Sequence, residues 1–261
     1  MENNSTWPVS PPSPTTWGKR TLKFNAFATV LATIGLIFMY VAPSVVFVIV
    51  GVETGTIDPR HPENIPARQQ VIGQLFAYLP IAAYTLLVLP PLAGRSLGEL
   101  GFRLPGLREL GIAAIGIAGM MLAVDGSGWA MEKLTHHHDT EAAIATLRQL
   151  KSTPDKILFA SLAVLFAPFI EELTFRAFLF NAFWRYMPLG LAALLSAAGL
   201  GALHAIGQAP SQFLTIGLPL ACGGIVLSWV YVTSRNFWSC FLTHGAFNGI
   251  VTALLLFTHL K

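Results

Sequence analysis

Seven apolar runs divide this chain of 261 residues, at about 25–50, 69–92, 108–130, 157–184, 189–206, 213–234 and 237–258. Each reaches the roughly 17–25 residues that a helix needs to cross a bilayer. None shows the alternation of a membrane strand, and at that depth the backbone must satisfy its own hydrogen bonds, so the runs are read as helices. Composition agrees: 54% of residues are hydrophobic and 11% charged, against about 25% charged in a soluble domain. The predicted fold is an all-α polytopic transmembrane helix bundle of about seven spans, with six to eight allowed by the ambiguous runs.

Organisation follows from what separates the runs. Residues 1–18, rich in Pro, Ser, Thr and Asn, read as a disordered tail. Residues 19–156 form flanking helices and loops, and 157–261 a C-terminal unit with a four-helix core. No cleavable leader is expected, because the first run is too long and starts too late. Lys19, Arg20 and Lys23 place the N-terminus in the cytoplasm, with Arg95, Arg103, Arg108, Arg185 and Arg235 on the same side. The third run, glycine-rich and holding Asp125, is a candidate for a broken or re-entrant helix. The stretch Thr140 to Leu150 has an apolar stripe and a polar face, as in a short helix lying on the membrane surface.

Composition also excludes classes of function. The net charge of +3 is spread over loops, and with no basic patch nucleic acid is not an expected partner. Cys222 and Cys240 sit in apolar segments and form no disulfide framework or CxxC metal site. His136, His137 and His138 lie together in a polar loop and read as solvated. Trp129, Trp184, Trp229 and Trp238 read as markers of the membrane interface. The expected partners are membrane lipid and a peptide or membrane-associated protein.

Against that apolar background, a few polar residues stand out in the last four runs. Glu171 and Glu172 are adjacent inside the fourth, with Arg176 four residues on. A carboxylate at mid-bilayer costs roughly 2.5–3.5 kcal/mol on the insertion scale, so two in a row call for a use. Glu172 and Arg176 share a helix face and can pair. Glu171 is turned about 100° away and is free to face a polar cavity as a general base. His204 near the end of the fifth run is placed to share a water with it. His244 and Asn248, four residues apart in the seventh run, present an imidazole and a carboxamide along one stripe, both able to donate to an oxyanion.

These residues fall in three motifs. Glu171-Glu172-Leu-Thr-Phe-Arg176 comes first, Leu200-Gly-Ala-Leu-His204 second and His244-Gly-Ala-Phe-Asn248 third. Their order and placement resemble the CPBP family of CAAX-protease and bacteriocin-processing (Abi) membrane proteins, related to the type II CAAX prenyl endopeptidases. The family pattern has Phe where this chain has Leu200, and commonly Gly where it has Ala177. The stretch from Arg95 to Arg103 resembles the family's loop before the third span. The resemblance implies an intramembrane glutamic endopeptidase with no cofactor and no metal ligand. Glu171 and His204 would activate the water, His244 and Asn248 would form the oxyanion hole, and Glu172 and Arg176 would give structural support. It implies a multi-pass protein of the bacterial inner membrane. Three other readings stand beside it: a zinc-dependent metalloprotease using Glu171, His204 and His244, a non-catalytic scaffold or immunity protein, and a transporter. The first lacks a His-Glu-x-x-His motif, and the last lacks the internal repeat that transporters show.

Overall fold

The computed structural model describes residues 26–61, 65–92, 94, 96–206 and 211–258. The N-terminal tail, its basic cluster Lys19, Arg20 and Lys23, and Arg95 fall outside the described residues. Every regular element described is helical: α1 Ala26–Glu53, α2 Ala67–Leu92, α3 Leu107–Thr135, α4 Ala142–Gln149, α5 Thr153–Tyr186, α6 Leu189–Ala205, α7 Phe213–Ser234 and α8 Phe237–Thr258. Six of these are long and apolar enough to cross a membrane. The chain is an integral, multi-pass membrane protein. The fifth apolar run is the exception in length. Its helix α6 has 17 residues, about 25 Å at the α-helical rise, short of a hydrocarbon core about 30 Å thick.

Small residues set how close the helices come. Ala197, Gly201 and Ala205 recur at four-residue spacing on α6, and all three are buried. They meet Gly217, Ala221 and Gly224 of α7. A Cβ on Gly201 would lie 2.1 Å from the Gly217 carbonyl oxygen and 3.0 Å from Ala221 Cβ. This is the small-residue contact that lets membrane helices pack without a hydrophobic driving force. It fixes the height at which α6 presents His204.

The third run is neither broken nor re-entrant. α3 passes unbroken through Asp125 and ends at His136, which takes the left-handed conformation at φ 56°. Two of its glycines serve packing. A Cβ on Gly116 would meet Val230 Cγ2 at 2.5 Å and Thr243 at 3.0 Å, and one on Gly119 would meet Val226 at 3.2 Å. Thr243 also donates to the Ala113 carbonyl at 3.2 Å. Thus α3 is wedged against α7 and α8. By contrast α1 keeps Phe27, Val30, Leu31, Ile34 and Phe38 on an exposed face suited to lipid.

α4 differs from the expected surface helix. Thr146 and Leu147 are buried, and the Thr146 hydroxyl donates to Gln70 Oε1 on α2 at 2.8 Å. The amphipathic stripe therefore docks on the protein. Trp238, expected at the membrane interface, sits in an aromatic cluster with Phe102, Phe169, Phe237 and Phe241.

Prolines shape the long helices. π-helical stretches at Tyr84–Val88, Leu162–Phe166 and Phe213–Gly217 each end two residues before a proline, namely Pro90, Pro168 and Pro219. A proline has no N–H to give the carbonyl four residues back, and its ring pushes that carbonyl away. The wider turn absorbs both effects. In α5 this frees backbone carbonyls of Ala163 and Val164, on which α8 docks.

The α6–α7 contact yields a paired prediction. Gly201→Ala should destabilise the fold by about 1–3 kcal/mol through overpacking, read as a lower unfolding temperature in detergent micelles. Gly126→Ala, where a new Cβ meets nothing within 4 Å, should stabilise by about 0.5–1 kcal/mol through helix propensity. Equal effects would show that α6 and α7 do not meet as described.

Candidate active site

The Glu pair ends a short α-helical segment, Ala167–Glu172, lying between two π-stretches of α5. The second stretch, Leu173–Phe180, has no proline behind it. Side chains take up the carbonyls that its wider turns release. Ser196 of α6 donates to the Phe175 carbonyl at 2.7 Å. Asn181 Nδ2 lies 2.9 Å from the Arg176 carbonyl and 3.2 Å from that of Ala177. The same nitrogen donates to the Tyr231 hydroxyl at 2.9 Å, which itself donates to the Leu100 carbonyl at 3.0 Å. The loop before α3, α7 and the Glu-bearing helix are thereby joined through one buried amide.

Glu172 and Arg176 are fully buried. Glu172 Oε2 lies 3.3 Å from Arg176 Nε, an ion-pair contact without aligned hydrogen-bond geometry. Arg176 Nη2 donates to the Gly224 carbonyl of α7 at 3.0 Å. The other oxygen of Glu172 does something the sequence did not suggest. Glu172 Oε1 accepts from His244 Nδ1 at 2.9 Å. Glu172 thus bridges Arg176 and His244, and orients the imidazole as well as balancing the guanidinium.

Glu171 is turned away from that pair, as the helical rotation requires. Its Oε2 lies 3.7 Å from His244 Nε2 and its Oε1 lies 4.0 Å from His204 Nε2. The two oxygens of one carboxylate therefore face imidazoles from two different helices. His204 Nδ1 lies 3.0 Å from the Leu200 carbonyl. That acceptor places the proton on Nδ1 and leaves a lone pair on Nε2 in the neutral ring.

Glu171, His204 and Asn248 line a cavity of about 320 Å³. His244 lies behind Glu171, with 6% of its surface exposed. Asn248 Nδ2 donates to the Ala163 carbonyl at 2.8 Å, one of those opened ahead of Pro168, and keeps a second N–H. Gly245 rests on the other opened carbonyl, where a Cβ would meet Val164 O at 2.7 Å. The expected simple stripe of two donors is thus a docked pair, with His244 tied to Glu172 and Asn248 to the α5 backbone.

Other polar residues of the cavity were not singled out by sequence reading. Gln74 and Tyr78 reach it from α2 and Glu141 from α4. Gln74 was visible only as a polar residue at the start of an apolar run. Glu141 carries no local signal, because only the docking of α4 brings it near His204. His137 and His138 line a neighbouring cavity of about 380 Å³ with Asp125, Asp139 and Glu141. His138 pairs with Glu132 at 3.3 Å, and Asp139 accepts from Thr215 at 2.6 Å. Among the described residues, no three His, Cys, Asp or Glu side chains are grouped to hold a metal ion.

Comparison with known proteins bears on the C-terminal part. Residues 153–250 match the Rce1-like family, described as type II CAAX prenyl endopeptidase Rce1-like. No curated protein and no solved structure matches the chain. Together with the helical membrane fold, the match supports a membrane protease of the general CAAX type. The match supports the CPBP, or CAAX-protease, family for this stretch. It begins at the first residue of α5 and takes in Glu171, Glu172, Arg176, His204, His244 and Asn248.

The burial pattern predicts a division of labour in stability. Arg176→Ala strands the Glu172 carboxylate in the core and should cost about 3–5 kcal/mol, seen as lost monodisperse yield after detergent extraction. Glu171→Gln keeps the shape, faces the cavity and should leave yield unchanged. Equal loss in both would place Glu171 in the structural network too.

Proposed function

We propose that this protein is a glutamic intramembrane endopeptidase in which Glu171 and His204 activate water and His244 and Asn248 stabilise the oxyanion. The observation that carries this reading is the placement of the Glu171 carboxylate between two imidazoles at the edge of a cavity. The 4.0 Å gap from Glu171 Oε1 to His204 Nε2 is too long for a direct hydrogen bond. One water about 2.8 Å from each atom spans it with an angle of roughly 90° at the water oxygen.

In the proposed reaction that water gives a proton to Glu171 as its oxygen attacks the peptide carbonyl. The carbonyl π-electrons move onto oxygen, and the developing charge is met by Asn248 and His244. Asn248 offers its second amide N–H. The carboxylate of Glu172 can only accept, so His244 Nδ1 carries a proton. A donor at Nε2 then requires the doubly protonated ring, whose charge is offset first by Glu171, 3.7 Å from Nε2, and then by the oxyanion itself. Collapse of the tetrahedral intermediate breaks the C–N bond, and the proton held by Glu171 passes to the leaving amine. Water has then added OH to the acyl carbon and H to the nitrogen, with no covalent enzyme intermediate. The substrate class is a peptide or a membrane-associated protein that reaches the cavity between α2, α4 and α6.

The test compares cleaved peptides in membranes carrying the wild type with those carrying Glu171→Gln. The most strongly cut sequence is then used as a quenched fluorescent peptide with the purified full chain. Glu171→Gln should lower the rate by at least about 10²-fold, and Asn248→Ala by about 10²–10³-fold. A chelator should leave the wild-type rate unchanged. Wild-type turnover by Glu171→Gln would overturn the enzymatic reading and favour the scaffold. Loss on chelation with recovery on stoichiometric zinc would favour the metalloprotease.

A further inference from the structure

We propose that Glu141 is a positioning residue for this site, holding the His204 imidazole in register with Glu171 from the amino end of α4. The inference rests on the function proposed above for His204. It starts from geometry that local sequence does not contain. Glu141 immediately precedes the first turn of α4, and its Oε1 lies 3.7 Å from His204 Nε2. The same nitrogen lies 4.0 Å from Glu171 Oε1. One ring nitrogen therefore stands between two carboxylates, one on a span and one on a docked surface element. Glu141 also lies on the wall shared by the two cavities, facing Glu171 and Asn248 on one side and Asp125 and Asp139 on the other.

Glu141 is not on a free loop. The Thr146–Gln70 bond ties α4 to α2, and Leu147 and Leu150 are buried beneath it. The far ring nitrogen of His204 is held by the Leu200 carbonyl. The imidazole is thus fixed at one edge by its own helix and approached at the other by the two carboxylates.

The reaction sequence gives the second carboxylate a purpose. With Nδ1 donating to the Leu200 carbonyl, a carboxylate can hold Nε2 only when the ring is doubly protonated. When Glu171 takes the proton from water, its charge disappears and so does its pull on that ring. Glu141 keeps its charge through that step, being outside the proton transfer. It is the carboxylate that remains to orient the ring and to balance any positive charge that develops on it. This is the logic of an orienting acid beside a catalytic histidine, with the acid reaching the nitrogen that faces the water. Glu141 lies outside residues 153–250, so the contact joins an element that precedes the matched stretch to a helix within it.

The test uses the full chain in lipid nanodiscs and reads both structure and rate. With ¹⁵N-labelled histidine, the His204 ring resonances are assigned by their loss in His204→Gln. Glu141→Gln should shift them, and Glu132→Gln should not, because Glu132 pairs with His138. On the peptide found with the wild type, Glu141→Gln should lower kcat by about 10–100-fold, by analogy with groups that orient metal-ligating histidines. KM should stay within about twofold. Glu141→Asp keeps the charge and should recover part of the rate, which a purely structural role would not give. Unshifted His204 resonances in folded Glu141→Gln would overturn the proposal. So would wild-type kcat in Glu141→Gln alongside an inactive Glu171→Gln. If Glu171→Gln is itself fully active, the proposed function fails, and the resonances decide whether Glu141 holds His204.

Discussion

A guanidinium buried without solvent must be matched where it lies, and most of the C-terminal bundle is arranged around that demand. Arg176 is 0% exposed. It is met by Glu172 on its own helix and by the Gly224 carbonyl of α7. Glu172 then carries the constraint to α8 through His244. Three helices are fixed by one charge and its partners. Gly224 must lack a side chain for this, since a Cβ there would come within 2.9 Å of Ala197 Cβ and 3.3 Å of Arg176 Nη2. Removing either charged partner would leave the other alone in the core, a far larger cost than the pair itself contributes.

The second organising device is the released carbonyl. A membrane helix cannot leave backbone acceptors bare in hydrocarbon. Pro168 nevertheless opens the turn before it, and the π-stretch after Glu172 opens more. Neighbouring helices use the openings as docking points, with Asn248 on Ala163 and Ser196 on Phe175. The distortions that flank the Glu pair are therefore also what seats α8 and α6 against it. Departures from α-geometry at a functional site are common, and here each has a named partner.

The same packing places an open carboxylate in an apolar setting. Both oxygens of Glu171 point at imidazoles on other helices, so one carboxylate ties α6 and α8 to α5 without a direct hydrogen bond to either. That looseness leaves room for a water, whereas Glu172 is fully buried. Two adjacent carboxylates with different neighbours thus take different parts, one structural and orienting, one open to the cavity. The polar wall that Gln74, Tyr78 and Glu141 add to the cavity comes from α2 and α4, outside the matched stretch.

How much of this was legible in the sequence depended on the range of the interaction. The apolar runs fixed a helical membrane protein, because span length and backbone satisfaction allow little else. The spacing from Glu172 to Arg176 foretold their pairing, and helical rotation foretold that Glu171 would face elsewhere, since both are properties of a single helix. The prolines behind three π-stretches were visible too, although their effect on carbonyl pairing shows only once the turns are seen. Glycines in α3 left a broken helix open as an alternative to a span, because sequence cannot tell a glycine that bends a helix from one that admits a neighbour. The hold of Glu172 on His244, the docking of Asn248 on a carbonyl and the approach of Glu141 to His204 join residues 72, 85 and 63 positions apart in the chain. No local pattern encodes such contacts. They exist because small-residue packing sets the height of each helix, and only the assembled bundle decides which polar groups then meet.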